Sequence, residues 1–130
     1  MDAEILFIGY VESEIKSIQE APLQEFENAP TAILKIKPEF AKAAADLKAG
    51  DRIIILTWMH LSDRKELNTH PRNDPNAKLT GIFSTRSPNR PNPIGMHETE
   101  ITALLPLNRI QVAMLEVLDG TPVIDIKPVL

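Results

Sequence analysis

The chain has 130 residues, 43% of them hydrophobic, no cysteine and a net charge of −4. That size supports a single domain, residues 1–130, with one core, and the absent thiols exclude disulfides, thiolate metal sites and a cysteine nucleophile. No apolar run approaches the ~20 residues of a membrane helix, and Met1-Asp-Ala-Glu lacks the basic start of a secretory signal, so no membrane is expected and the expected location is the cytoplasm.

Ile5–Val11 is a short apolar run broken by Gly9 and reads as a first strand, followed by a long polar loop to Pro30. Thr31–Lys37 reads as a strand stopped by Pro38. Pro38–Lys48 is the helix candidate, with Pro38 in the first turn, Phe40, Ala44 and Leu47 on one face, and Gly50 past the end. Arg52–His60 is the most apolar segment and predicts a central strand. Leu61–Lys78 is polar and too long for an idle loop. Leu79–Thr85 predicts a strand, and so do His97–Leu105 and Arg109–Leu118 around a Leu105–Asn108 turn. Asp119-Gly120 signals a further turn before a last strand, Val123–Lys127. Many strands with one short helix predict a mainly β chain, a closed β-barrel or an all-β sandwich. No G-x-G-x-x-G follows a strand, so a dinucleotide-type Rossmann site is not supported.

Residues 80–96 carry the strongest local signal. Pro88, Pro91 and Pro93 fix their own φ and donate no N–H, which makes a stiff loop presenting Arg86 and Arg90. Such a loop suits either a ligand carrying a carboxylate or phosphate or a purely structural connection, and Pro88-Asn-Arg-Pro91 also fits a loose polyproline-ligand pattern. Residues 60–97 hold six Lys/Arg against three acids, a net +3 on a body of −7, which suits an anion-attracting face or a solvated loop. His60, His70 and His97 lack metal-ligand spacing, so no metal is expected. Ser84 and Ser87 lack a nucleophile-elbow motif, and Glu98/Glu100 alternate as the wet face of a strand.

Two segments, Thr80-Gly-Ile-Phe-Ser-Thr-Arg-Ser-Pro-Asn-Arg-Pro-Asn-Pro-Ile-Gly-Met96 and Leu118-Asp-Gly-Thr-Pro-Val-Ile-Asp-Ile-Lys-Pro128, resemble the TsaA/TrmO-like family, and the similarity runs over nearly the whole chain. The resemblance implies a small closed β-barrel of non-Rossmann type that uses S-adenosylmethionine, and a homodimer with the cofactor near the subunit interface. It implies methylation of the exocyclic nitrogen of threonylcarbamoyladenosine beside the tRNA anticodon. A methyltransferase acting on a small amide- or urea-like metabolite and a non-enzymatic S-adenosylmethionine-binding module are the alternatives.

By similarity the cofactor residues are Pro22, Leu23, Gln24, His60, Leu61, Arg86 or Arg90, Met96, Asp119, Gly120, Thr121 and Pro122. Asp125, His60 and Lys127 are the catalytic candidates, and Arg64, Lys65 and Arg72 are expected to face the substrate's phosphates. The chain departs from the family where Glu12-Ser-Glu-Ile-Lys16 stands in place of a common Arg-Ser-Pro-Tyr-Lys, and where His97 replaces a common Ser. The characterised bacterial enzymes also continue past the Asp125-Ile-Lys-Pro128 segment.

Overall fold

Inward aliphatic residues alternate with outward polar ones on strands that close into a ring in the computed structural model, which describes residues 1–16, 31–71 and 74–130. The ring runs β1 (Gly9–Glu12), β2 (Ala32–Ile36), β7 (Arg109–Val112), β6 (Ile94–Leu105), β3 (Arg52–Trp58) and β8 (Pro122–Pro128), with β8 returning to β1. Every pairing is antiparallel. The fold is therefore a six-stranded closed β-barrel, which the family resemblance implies and which is one of the two architectures the strand reading leaves open; the sandwich alternative is excluded. Between β3 and β6 the chain makes an excursion carrying a two-stranded hairpin of β4 (Asn68–Thr69) and β5 (Thr80–Gly81).

Val11, Leu34, Ile36, Ile53, Ile55, Ile101, Ile110, Val112 and Val123 fill the barrel, and Phe40, Ala44 and Leu47 pack against this core as one face. The helix is a 3-10 helix over Pro38–Ala44, shorter than the predicted Pro38–Lys48. Among the described residues no helix is long and apolar enough to cross a membrane.

Several boundaries differ from expectation. Ile5 and Leu6 are exposed, and pairing starts only at Gly9. The predicted strand Leu79–Thr85 is only β5, followed by a 3-10 turn at Ile82–Ser84, because the carbonyls of Ile82 and Thr85 are turned toward the Arg90 guanidinium. The predicted strand Arg109–Leu118 ends at Val112. Ile110 and Val112 point inward, but so do Leu115 and Val117, and the change of phase is taken up at Met114, whose N–H donates to Thr99 Oγ1 at 3.1 Å. The predicted turn at Leu105–Asn108 is present, with Leu107 and Asn108 at φ 64° and 58°. These left-handed values match the twist of a tight hairpin.

Candidate functional site

Antiparallel registers fix which connections share an end of the barrel. The exits of β1, β3 and β7 and the entries of β2, β6 and β8 lie on one rim. That rim gathers His60 and Leu61 after β3, Arg86 and Arg90 before β6, Asp119–Thr121 before β8 and Pro122 at its start. Of the buried polar residues among those described, Ser13, Thr57, His97 and Thr121 lie toward this rim, while Thr99 sits opposite Ile53 near the start of β3. Pro22, Leu23, Gln24 and Arg72 lie outside the described residues.

The proline loop is a braced structure. The Arg90 guanidinium donates to the carbonyls of Thr85 and Ser87 at 3.0 Å and of Ile82 at 3.2 Å. Arg64 donates from Nε to Pro91 O at 2.7 Å and from a terminal nitrogen to Asn92 Oδ1 at 3.1 Å, and it lies 5.2 Å from the Trp58 ring centroid. The Asp63 N–H donates to Asn89 Oδ1 and the Met59 N–H to Pro93 O. Arg64 is exposed at the surface, with its guanidinium committed to the loop. Arg86 is exposed and has no partner among the described residues. Of the loop's two arginines, Arg90 holds the shape, and Arg86 makes none of these contacts.

His97 is buried, its Nε2 2.9 Å from Thr57 Oγ1, which in turn lies 3.3 Å from Met59 Sδ. Gly95 makes room for this chain of contacts: a Cβ there would come within 2.5 Å of Thr57 Oγ1 and 2.7 Å of His97 Nε2. The cluster ties the start of β6 to the exit of β3, where His60 and Leu61 leave the barrel exposed. His70 is elsewhere, on the excursion, with Nδ1 2.8 Å from Ala77 O.

Asp119 is anchored. Its Oδ1 accepts the Ser13 N–H at 2.9 Å and its Oδ2 lies 3.2 Å from Lys16 Nζ, while its own N–H donates to Ile15 O. Gly120 follows at φ +84° and donates to Val11 O. The turn before β8 is thereby laced to the exit of β1, beside a cleft of about 440 Å³ that reaches Thr31 and Gln111. The Ser13 N–H, and after it the Lys16 ammonium, hold the Asp119 carboxyl below the usual aspartate range. A depressed carboxyl stabilises the fold above its unfolded pKa of about 3.9, and that stability is lost as pH falls through the lower folded value. Asp119→Asn should therefore melt below the wild type at neutral pH, with the gap closing only under strongly acid conditions. Thermal melts of both proteins across pH would check this, and a gap constant down to pH ~2 would contradict it. Glu12 pairs with Arg109 at 3.3 Å.

Met96, Asp125 and Lys127 occupy the outer wall of the barrel. Leu56 is flanked by Met96 on one side and Asp125 on the other. The Asp125 carboxylate accepts the Ile126 N–H and pairs with Lys127 Nζ at 3.0 Å. Counted along β8, Asp125 and Lys127 lie roughly 10 and 16 Å from Pro122. The three catalytic candidates are therefore not brought together: His60 stands at the rim, while Asp125 and Lys127 form a separate pair. Reading the residues alone missed the bracing by Arg64 and Arg90. The signal for it was present, because three prolines remove N–H donors from a loop whose carbonyls still need partners.

The family described as the tRNA-methyltransferase O N-terminal domain matches residues 10–130. A protein of Methanocaldococcus jannaschii named a probable S-adenosyl-L-methionine-binding protein is 43% identical over 105 residues, covering 78% of this chain and 82% of its own. One of Methanothermobacter thermautotrophicus with the same description is 38% identical over 128 residues, covering 98% and 90%. A crystal structure of TrmO from Pseudomonas aeruginosa superposes with a TM-score of 0.75 at 28% identity. It covers all of this chain, which spans 55% of that one.

Proposed function

Because this chain belongs to the family of tRNA-methyltransferase O N-terminal domains, we propose that its rim binds S-adenosylmethionine and that the protein methylates N6 of threonylcarbamoyladenosine in tRNA. The observation that carries this reading is Arg86, a guanidinium without a partner among the described residues, on a loop that Arg90 and Arg64 already hold in shape. A pre-shaped loop loses little entropy on binding, and a free guanidinium fork matches the carboxylate of an amino-acid ligand. Exposed Leu61 and Met96 supply apolar contact for the adenine. When bound, the cofactor supplies an electrophilic methyl group. The chain's own contribution is to align the acceptor with it and exclude water.

His60 is the proton acceptor of this reading, since its ring makes no hydrogen bond among the described residues, whereas Asp125 is paired with Lys127. Exposed Lys65 is the cation available to the substrate's phosphates. The expected homodimer would bury the outer wall of β3 and β6, where half-buried Ile54, Leu56 and Trp58 join exposed Ile94 and Met96.

Two measurements test the reading. Titration calorimetry with S-adenosylmethionine should give saturable heat, and its absence from folded protein would overturn the assignment. Labelled cofactor with tRNA carrying the threonylcarbamoyl group should give methyl incorporation, with TrmO run in parallel. Binding without incorporation would leave a cofactor-binding module.

A further inference from the structure

The excursion between β3 and β6 displays an aromatic ring that nothing in the barrel uses. Phe83 is 83% exposed, while Ile82 beside it is 2% exposed and anchors the turn. The Ile82 N–H donates to Leu67 O at 2.9 Å, and the Ile82 carbonyl accepts the Thr85 N–H, the Thr85 hydroxyl and the Arg90 guanidinium. The backbone under Phe83 is therefore fixed, and only the ring's own torsions remain to be ordered by a partner.

Charge identifies the partner. Residues 75–97 contain no Asp or Glu, although the chain has 18 acids, and they carry Lys78, Arg86 and Arg90. The side chains of Lys78 and Arg86 have no partner among the described residues. An exposed ring in a segment that carries cations and no acid of its own suits single-stranded nucleic acids, with phosphates on the cations and bases on the ring face. A second copy meeting this surface about a two-fold axis would instead set Lys78 and Arg86 against their own images, which like charge disfavours.

We propose that Phe83 is a stacking platform for an unpaired base of an RNA, with Lys78 on the adjoining phosphates. The proposal rests on the tRNA reading above and supplies a contact point for it.

The test is fluorescence anisotropy with a labelled anticodon stem-loop RNA and a fully paired RNA duplex, on wild type, Phe83→Ala and Phe83→Trp. Calorimetry with S-adenosylmethionine and sedimentation are run on the same proteins. Phe83→Ala should bind the stem-loop about 5- to 150-fold more weakly, the span of one lost base–aromatic stack. Phe83→Trp should bind it at least as well as wild type. Duplex binding, cofactor affinity and oligomeric state should not change. Stem-loop affinity unaltered in Phe83→Ala overturns the proposal, as does wild type that binds no stem-loop, or a Phe83→Ala variant that dissociates to monomer where wild type is dimeric. Loss of stem-loop binding in a protein that proves unable to transfer methyl groups leaves the platform standing while the methyltransferase reading falls.

Discussion

Alanine at position 9 should destabilise the barrel by about 3 kcal/mol, the upper part of the usual cost of overpacking a close-packed interior. Gly9 is buried on β1 with neighbours on both sides, opposite Ile36 on β2 and Val123 on β8. A Cβ would strike the Lys35 carbonyl oxygen and come within 3.1 Å of Ile36 Cα. Both obstacles are backbone, so no rotamer change relieves them and the β1–β2 pairing itself must yield. Gly81 is the control, since nothing lies within 4 Å of a Cβ built there. Urea denaturation should show a large fall in midpoint for Gly9→Ala and little change for Gly81→Ala. Equal midpoints would mean that β1 and β2 are not held at the described separation.

Arg86→Ala and Arg90→Ala should separate in a way that two exposed surface arginines would not. Arg90 donates to three carbonyls of its own loop. Its removal should cost about 1.5–3 kcal/mol of stability, the range for hydrogen bonds to a charged group, and should weaken S-adenosylmethionine binding because the loop loses its shape. Lysine should not restore it, since one ammonium cannot reproduce a planar fork reaching several acceptors. Arg86 makes no such bonds, so Arg86→Ala should melt with wild type. It should nevertheless bind the cofactor about 10- to 150-fold more weakly, equivalent to losing one charge-assisted contact. Thermal denaturation and calorimetry on the two variants give both readouts. Unchanged affinity in Arg86→Ala would reduce the loop to a connector.

Much of the barrel was legible because it is written in short-range pattern. Apolar residues on both phases of Arg52–Trp58 gave β3, and Asp119-Gly120 gave the turn whose glycine takes φ +84°. What was hidden depends on partners distant in sequence. Arg64 reaches Pro91 and Asn92 across 27 and 28 positions, and no periodicity reports such a contact. The end of β7 was misread for a related reason. Alternation continues past Val112 in the residues, but the inward phase shifts before Leu115, and the Thr99 hydroxyl that meets Met114 there belongs to another strand. Among the site residues, Asp119 was legible from its own pattern only as part of a turn, and the family resemblance named it for the site. Its engagement by Ser13, 106 positions away, was not visible.

The strand order has a consequence for the order of synthesis. β8 is the last ring strand to leave the ribosome, and it alone joins β1 to β3. Until then the nascent sheet keeps two unpaired borders, a state prone to edge-to-edge association, and the Asp119 turn cannot yet reach Ser13. The rim is thus closed only once this final ring strand has been made. Such distant pairing also predicts slow folding, on the millisecond-to-second scale.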